Sequence, residues 1–152
     1  MILVDLNVIL DVLFRREPHF AASQGIINRI VRGRLSVAIS AHNVTTLYYL
    51  VRKKSGPETA VQAVDWVLRY FSVASVGAQE VERARSLDWP DFEDAVVAAA
   101  AESASCRAII TRNASDFRGS PVPAMHPEEL VIDEIHEELT GGYAAKESRS
   151  PA

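Results

Sequence analysis

The chain has a single cysteine among its 152 residues, which excludes an internal disulfide and a metal site built from several thiolates. We interpret Cys106, which precedes an apolar run, as a small buried side chain. This cysteine usage is typical of a reducing compartment and favours the cytoplasm. The sequence has no run of about 18 apolar residues, so we expect no membrane span. No basic segment precedes the first apolar run, and we expect no signal peptide.

Composition and charge are those of an ordinary soluble domain. The chain is 48% hydrophobic and 24% charged, and its length is sufficient for the core of one domain. The net charge of −4 gives no support for a strongly basic nucleic-acid binder, although local basic patches matter more than the sum. No two histidines have the spacing of a zinc site. Chemistry is therefore expected from oxygen-bearing side chains.

Short apolar runs alternate with amphipathic segments, which is typical of a parallel sheet covered by helices. Strands are predicted at residues 1–4, 35–39, 71–76 and 108–111. Helices are predicted at residues 8–14, 18–32, 41–54, 58–70, 77–86, 92–103 and 128–139. Residues 121–127, with three prolines, are predicted to form a loop, and the chain from residue 141 is predicted to be disordered. The predicted fold is a three-layer α/β/α sandwich with a central, mainly parallel sheet.

Three carboxylates stand where strands end or helices begin. Asp5 directly follows the first strand, Asp94 opens the apolar helix at 92–103, and Asp116 lies in the turn after the strand at 108–111. Because the carboxyl ends of parallel strands share one edge of the sheet, these acids can meet there. Clustered carboxylates repel one another and are held together by hard cations. The sequence therefore predicts a site for Mg²⁺ or Mn²⁺, and such ions serve phosphoryl chemistry.

Each of these acids also has a structural interpretation. Asp5 or Asn7 can cap the following helix, and for Asp91 we favour an N-cap at the start of the helix at 92–103. Glu93 points about 100° away from Asp94 around that helix and is predicted to be solvated. Thr111, Asn113 and Asp116 have the composition of an ordinary turn.

Basic side chains that can contact a nucleic-acid backbone occur at the ends of predicted helices and in the turn after the strand at 108–111. They are Arg15, Arg16, Arg52, Lys53, Lys54 and Arg112. A solvated helix end is an equally good interpretation of each.

Four segments in order resemble the PIN domain family: VDLNVILDVL, SAHNVTTLYYLVRK, DFEDAVVAAAA and ITRNASDF. The resemblance extends from Met1 to about Leu130 and is greatest to the PilT N-terminus-like branch that includes VapC-type toxins. It implies a parallel sheet flanked by helices and a Mg²⁺- or Mn²⁺-dependent ribonuclease. It also implies a protein that is often a homodimer and often inhibited by a small antitoxin. Residues 1–132 would form this nuclease domain, and residues 133–152 a C-terminal helix and tail.

The resemblance assigns roles to individual residues of this chain. The acidic positions of the family that carry metal and catalysis are matched by Asp5, Asp94 and Asp116. The polar positions that support them are matched by Asn7 and Thr111, with Asn113 beside the last acid. The metal-held water would attack phosphorus, and Asp116 is the carboxylate proposed to orient that water.

The family's second acid, a glutamate early in the third helix, is missing from this chain. Thr46 stands near its place, with His42 and Asn43 a turn earlier. Asp11 on the first helix is a possible substitute, although we favour a helix-surface acid. One negative charge fewer places the second metal ion and catalytic competence in question. Thr46 remains a candidate for orienting a water or binding phosphate.

Two other functions compete with the nuclease. The missing glutamate favours a PIN-like module that binds RNA or protein without cutting. A phosphatase of the haloacid-dehalogenase type requires an acid two residues after the nucleophile and a lysine near the last acid. Here that position is Asn7, and no lysine lies between Lys54 and Lys146.

The chain is richer in tyrosine and tryptophan than a small core requires. The side chains concerned are Tyr48, Tyr49, Trp66 and Tyr70. We favour the core for most of them, with a dimer or antitoxin surface as the alternative. Residues 132–139 are a second segment that can pack on another subunit.

Overall fold

The computed structural model describes residues 1–130. Its centre is a sheet of five strands, which are β1 (Ile2–Val4), β2 (Val37–Ser40), β3 (Ser72–Ala74), β4 (Ile109–Ile110) and β5 (Ala124–Met125). Their spatial order is β3-β2-β1-β4-β5, and every pair of neighbours is parallel. The predicted parallel sheet is confirmed.

Helices cover both faces of this sheet. They are α1 (Leu6–Leu13), α2 (Phe20–Val31), α3 (Ala41–Ser55), α4 (Pro57–Tyr70), α5 (Ala78–Leu87) and α6 (Phe92–Ser103), followed by a 3-10 helix at Ala114–Phe117. Ile2 and Val4 pack with α1 to α4, whereas Leu3 packs with α6. The two layers arise because successive side chains of a strand point to opposite faces. The predicted three-layer sandwich is confirmed.

Helix α6 is buried along most of its length because it is apolar on every side. Ala95–Ala101 are all buried, and Val97, Ala98, Ala100 and Ala101 pack against the sheet. Ala95, Val96 and Ala99 pack with Ala84 of α5. Such a helix is shielded on both flanks, so only its first turn reaches the edge of the sheet where the strands end.

The predicted loop at residues 121–127 contains a strand that the sequence did not indicate. Ala124 and Met125 pair with β4, and the N–H of Ile109 donates to the carbonyl of Pro123 at 2.8 Å. A two-residue strand is too short to show alternating hydrophobicity. A proline at the edge of a sheet can still accept a hydrogen bond, so the three prolines did not prevent pairing.

The chain turns helical again at Pro127, one residue before the predicted start, and remains so to Leu130. The rest of the helix predicted at 128–139, the disordered tail and the boundary at residue 132 lie outside the described residues. Within residues 1–130, no helix combines the length and apolar character needed to cross a membrane.

Candidate active site

Asp5 occupies the point where β1 ends and α1 begins, at the edge formed by the carboxyl ends of the strands. Its side chain is only 7% exposed. The Oδ2 atom accepts hydrogen bonds from the Thr111 hydroxyl and from the Asn7 amide nitrogen, both at 2.8 Å. Asp5 precedes the first residue of α1, but its side chain makes no capping hydrogen bond with that helix. The carboxylate is therefore oriented by polar neighbours rather than used as a cap.

Thr111 joins the ends of two strands at this position. Its side chain is fully buried, and its Oγ1 accepts from the Asn113 backbone N–H at 3.1 Å while donating to Asp5. Asn7 completes the network, because its side-chain oxygen accepts from the Arg112 N–H at 3.4 Å. The predicted supporting residues Asn7 and Thr111 thus lie beside Asp5. Asn113 takes part through its backbone.

Burial raises the pKa of Asp5 to about 6. The hydrogen bond from Thr111 and the backbone N–H of Leu6 lower that pKa, but by less. The Glu93 carboxylate raises it further, and the Arg112 guanidinium lowers it. The buried environment therefore disfavours the negative charge of the Asp5 carboxylate.

Asp94 sits in the first turn of α6, where the buried helix reaches the strand ends. Its pKa is raised to about 7, mainly by burial and then by the negative charge of Asp91. Asp5 and Asp116 raise the pKa of Asp94 as well, as does Glu93. Carboxylates that follow β1 and that lie on the 3-10 helix thus act on Asp94 at this edge.

Asp91 and Asp116 flank that acid. Asp91 is the N-cap of α6, since its side chain accepts from the Asp94 N–H at 3.1 Å, as its structural interpretation predicted. Asp116 is exposed on the 3-10 helix. The next residue, Phe117, is buried edge-on against Trp89 with ring centroids 5.9 Å apart. This packing anchors the short helix that carries Asp116.

The acids offer the donors that Mg²⁺ and Mn²⁺ prefer, but they do not converge into a ready-made cage. Across residues 1–130, no group of three or more His, Cys, Asp or Glu side chains is arranged so that it could hold a metal ion. The donors around Asp94 are carboxylate oxygens, which suit hard cations. The raised pKa values of Asp5 and Asp94 reflect negative charge that a cation would neutralise. In donor chemistry and charge, the residues fit such an ion.

The side chain at the position of the missing family acid makes a hydrogen bond within its own helix. The Thr46 hydroxyl donates to the carbonyl of His42 in its own helix at 3.2 Å. The ring nitrogen Nδ1 of His42 is hydrogen-bonded to the Ser40 hydroxyl, and its Nε2 lies 3.8 Å from the Glu93 carboxylate. Burial lowers the pKa of His42, and Glu93 opposes that shift.

Glu93 is a site neighbour that the sequence reasoning missed. Its side chain is 55% exposed, as predicted. Its charge nevertheless raises the pKa of both Asp5 and Asp94. The available signal was its place beside Asp94 in the first turn of a helix that faces the strand ends.

The prediction that Asp11 is a helix-surface acid is wrong. Its side chain is fully buried and accepts from Arg112 Nη1 at 2.7 Å and from the Ser23 hydroxyl at 3.3 Å. The arginine lies 101 positions away in the sequence, so the local pattern of α1 gave no sign of this pair. Asp11 is held by Arg112 and is therefore not a free replacement for the missing acid.

The predicted basic positions do not surround the acids. Apart from Arg112, they lie near the far ends of α1 and α3: Arg15, Arg16, Arg52 and Lys53. Arg16 and Lys54 contact the Phe14 ring at 5.3 and 4.1 Å from its centroid. Both helices start at the strand ends, and the 15 residues of α3 carry its last turn about 22 Å away. Only Arg112, 26% exposed and close to Asp5, lies at the site.

The sequence pattern that defines the PIN domain matches residues 1–115. This chain belongs to the PIN domain family. Comparison with curated protein sequences gives no match. The family membership confirms the resemblance seen in the sequence.

Solved structures share this fold at low sequence identity. VapBC2 from Rickettsia felis, bound to a DNA fragment from the promoter, superimposes with a TM-score of 0.63 at 16% identity, covering 83% of this chain and 98% of that one. A toxin–antitoxin complex from Klebsiella pneumoniae superimposes with a TM-score of 0.63 at 21% sequence identity, and the match covers 84% of this chain and 98% of that one. VapC20 from Mycobacterium tuberculosis, a toxin that cleaves the sarcin–ricin loop, superimposes with a TM-score of 0.58 at 19% sequence identity. The match covers 72% of this chain and 87% of that one. At these identities the likeness concerns the fold.

Proposed function

We propose that this protein is a divalent-metal-dependent ribonuclease that hydrolyses RNA phosphodiesters. The observation that carries the proposal is the gathering of Asp5, Asp94 and Asp116 at the carboxyl ends of the strands, where Asp5 and Asp116 both raise the pKa of Asp94. Two of these carboxylates have pKa values raised to about 6 and about 7, because burial and neighbouring negative charges disfavour their charged forms. Membership of the PIN family and the likeness to an RNA-cleaving toxin support the same chemistry.

Each residue of the site would have a role that follows from its position. Asp5 and Asp94, with Asp116, would hold Mg²⁺ or Mn²⁺, which when bound activates a water and stabilises the leaving oxygen. Thr111 and Asn7 keep the plane of the Asp5 carboxylate fixed, because both donate to one of its oxygens. Asp116 is exposed and free to orient the attacking water.

Cleavage of structured and unstructured RNA with Mn²⁺ tests this proposal directly. The wild-type protein and Asp65→Asn, an exposed acid of α4, should cleave equally well. Asp5→Asn should lose more than about 100-fold in rate, since even partners of metal ligands contribute about 10–100-fold. If the wild type leaves both RNAs intact and Asp5→Asn behaves identically, the nuclease proposal is refuted.

A PIN-like module that binds without cutting is the alternative, and one observation favours it. The Thr46 hydroxyl is bonded to its own helix, so nothing at that position replaces the missing acid. Calorimetry with Mn²⁺ separates the two functions. The absence of heat at millimolar metal would favour the binding module, whereas binding by wild type but not by Asp5→Asn supports the nuclease.

We further propose that the protein is the toxin of a cytoplasmic toxin–antitoxin pair and that it forms a homodimer. Several solved structures of this fold are complexes with an antitoxin, which supports a small protein partner.

An apolar groove beside Trp66 is flanked by Leu13 and Val31, which are 46% and 45% exposed. Tyr49, predicted for either core or interface, is 62% exposed. Light scattering of the purified chain tests the dimer, with a monomeric mass as the contrary result.

A further inference from the structure

A separate cavity opens between the start of α2 and the segment that follows β5. Its volume is about 410 Å³, within the range of small-ligand sites. The polar groups around it come from both sides and from below: His19, Ser23, Arg112, His126, Glu128 and Glu129. None of the proposed metal ligands lines it.

The arginine of this cavity is held rigidly from beneath. Asp11 and Ser23 are both buried, and Asp11 accepts from Arg112 Nη1 at 2.7 Å. A guanidinium has five N–H donors, and this is the only side-chain hydrogen bond that Arg112 donates within residues 1–130. The remaining donors are therefore available to a ligand at a fixed position.

Arg112 also connects the cavity to the acidic site. Its backbone N–H donates to the side chain of Asn7, which in turn donates to Asp5. A ligand in the cavity would thus lie beside a phosphodiester held at Asp5.

The chemistry of the lining favours a nucleobase over a phosphate. His19 and His126 line the cavity, and imidazole rings, like guanidinium planes, can stack on unpaired bases. Glu128 and Glu129 would repel a phosphate, whereas carboxylates accept from amino groups of bases. Glu129 accepts from the backbone N–H of His126 at 2.6 Å through one oxygen, and its second oxygen can still accept, like those of Glu128.

We propose that this cavity binds one unpaired nucleobase of the substrate strand, next to the phosphodiester held at Asp5. The inference rests on the proposed ribonuclease function for the presence of RNA. It assigns to His19, Arg112 and His126 the selection of single-stranded RNA at a position adjoining the cut.

Binding of a fluorescent single-stranded RNA hexamer tests the cavity without requiring cleavage. All variants carry Asp5→Asn in the full chain, and fluorescence anisotropy gives the dissociation constants. Loss of a stacked base should weaken binding by about tenfold or more in His19→Ala and in His126→Ala. Arg32→Ala changes an exposed residue at the opposite end of α2 and should stay within about twofold of the parent. Unchanged melting temperatures show that the variants are folded.

The outcomes separate this inference from the nuclease proposal. Equal affinity in all variants, or no binding by the parent, overturns the base site. If the histidine variants lose affinity but the otherwise wild-type protein cleaves no RNA with Mn²⁺, the base site stands and the nuclease fails. If the wild type cleaves and the histidine variants bind like the parent, the nuclease stands and the base site fails.

Discussion

Replacing Asp5 by asparagine should stabilise the metal-free protein at pH 8. The folded state raises the pKa of Asp5 from 3.8 to about 6 because the side chain is buried. A shift of roughly two units corresponds to about 3 kcal/mol of disfavoured charge. Asparagine removes that charge and keeps an oxygen that can accept from Thr111 and Asn7.

The sign of the pH dependence follows from the raised pKa. The folded protein binds the Asp5 proton more tightly than the unfolded chain, so this stability is fully present below pH 3.8 and is lost as the pH rises through about 6. About half of the 3 kcal/mol should return to the wild type between pH 8 and pH 5. The Asp5→Asn variant should not show this part of the pH dependence of stability. The pH dependence that remains should come from other groups, and mainly from Asp94, whose pKa is also raised.

Thermal melting in EDTA measures the effect. A gain of about 3 kcal/mol raises the melting temperature by roughly 6–12 °C for a chain of this size. Asp65→Asn, the same change at an exposed site, should leave the melting temperature unaltered. Addition of Mn²⁺ at about 1,000 times its dissociation constant should then reverse the order, since the ion stabilises the wild type by about 4.1 kcal/mol and does not stabilise the variant. Destabilisation of Asp5→Asn at pH 8, or a pH dependence equal to that of the wild type, would refute the reasoning.

Three further substitutions test the neighbours of the acids. Thr111→Val removes the buried hydroxyl that orients the Asp5 carboxylate and should lower RNA cleavage by about 10–100-fold with little change in fold, measured by initial rates and circular dichroism. Arg112→Met leaves the fully buried Asp11 carboxylate without its cation and should cost about 3–5 kcal/mol in urea unfolding, whereas an additional Asp11→Asn should recover part of that loss. Thr46→Glu restores an acid where the family has one and should tighten Mn²⁺ binding in calorimetry by about tenfold or more, and unchanged affinity would show that residue 46 does not face the metal.

The helix that carries Asp94 could be predicted from the sequence in its main features. Its bounds, Phe92–Ser103, its Asp91 cap and the burial of Ala95–Ala101 all follow from a short local pattern of acids followed by apolar residues. Strand β5 shows the opposite case. Two residues carry no periodicity, and only their pairing with β4 makes them a strand.

The charges of the site divide in the same way. Asp5 was recognisable because a carboxylate directly after a buried strand is costly to bury without a purpose. Asp11, six residues later on an amphipathic helix, looked like a surface acid, and only Arg112 makes its burial tolerable. Whether a carboxylate can be buried depends on its partner, and a partner about a hundred residues away cannot be predicted from a local sequence pattern.

By itself the sequence determined the parallel sheet, its helical layers and the acids that stand at the strand ends. These properties depend on hydrophobic periodicity and on the order of elements, which are local and additive along the chain. Only the tertiary structure decided which acids act on one another, that Thr111 and Asn7 orient Asp5, and that Arg112 adjoins a second cavity. The hydrogen bonds of Thr111 with Asp5 and of Arg112 with Asp11 join residues about a hundred positions apart, and they exist only once β1 and β4 lie side by side.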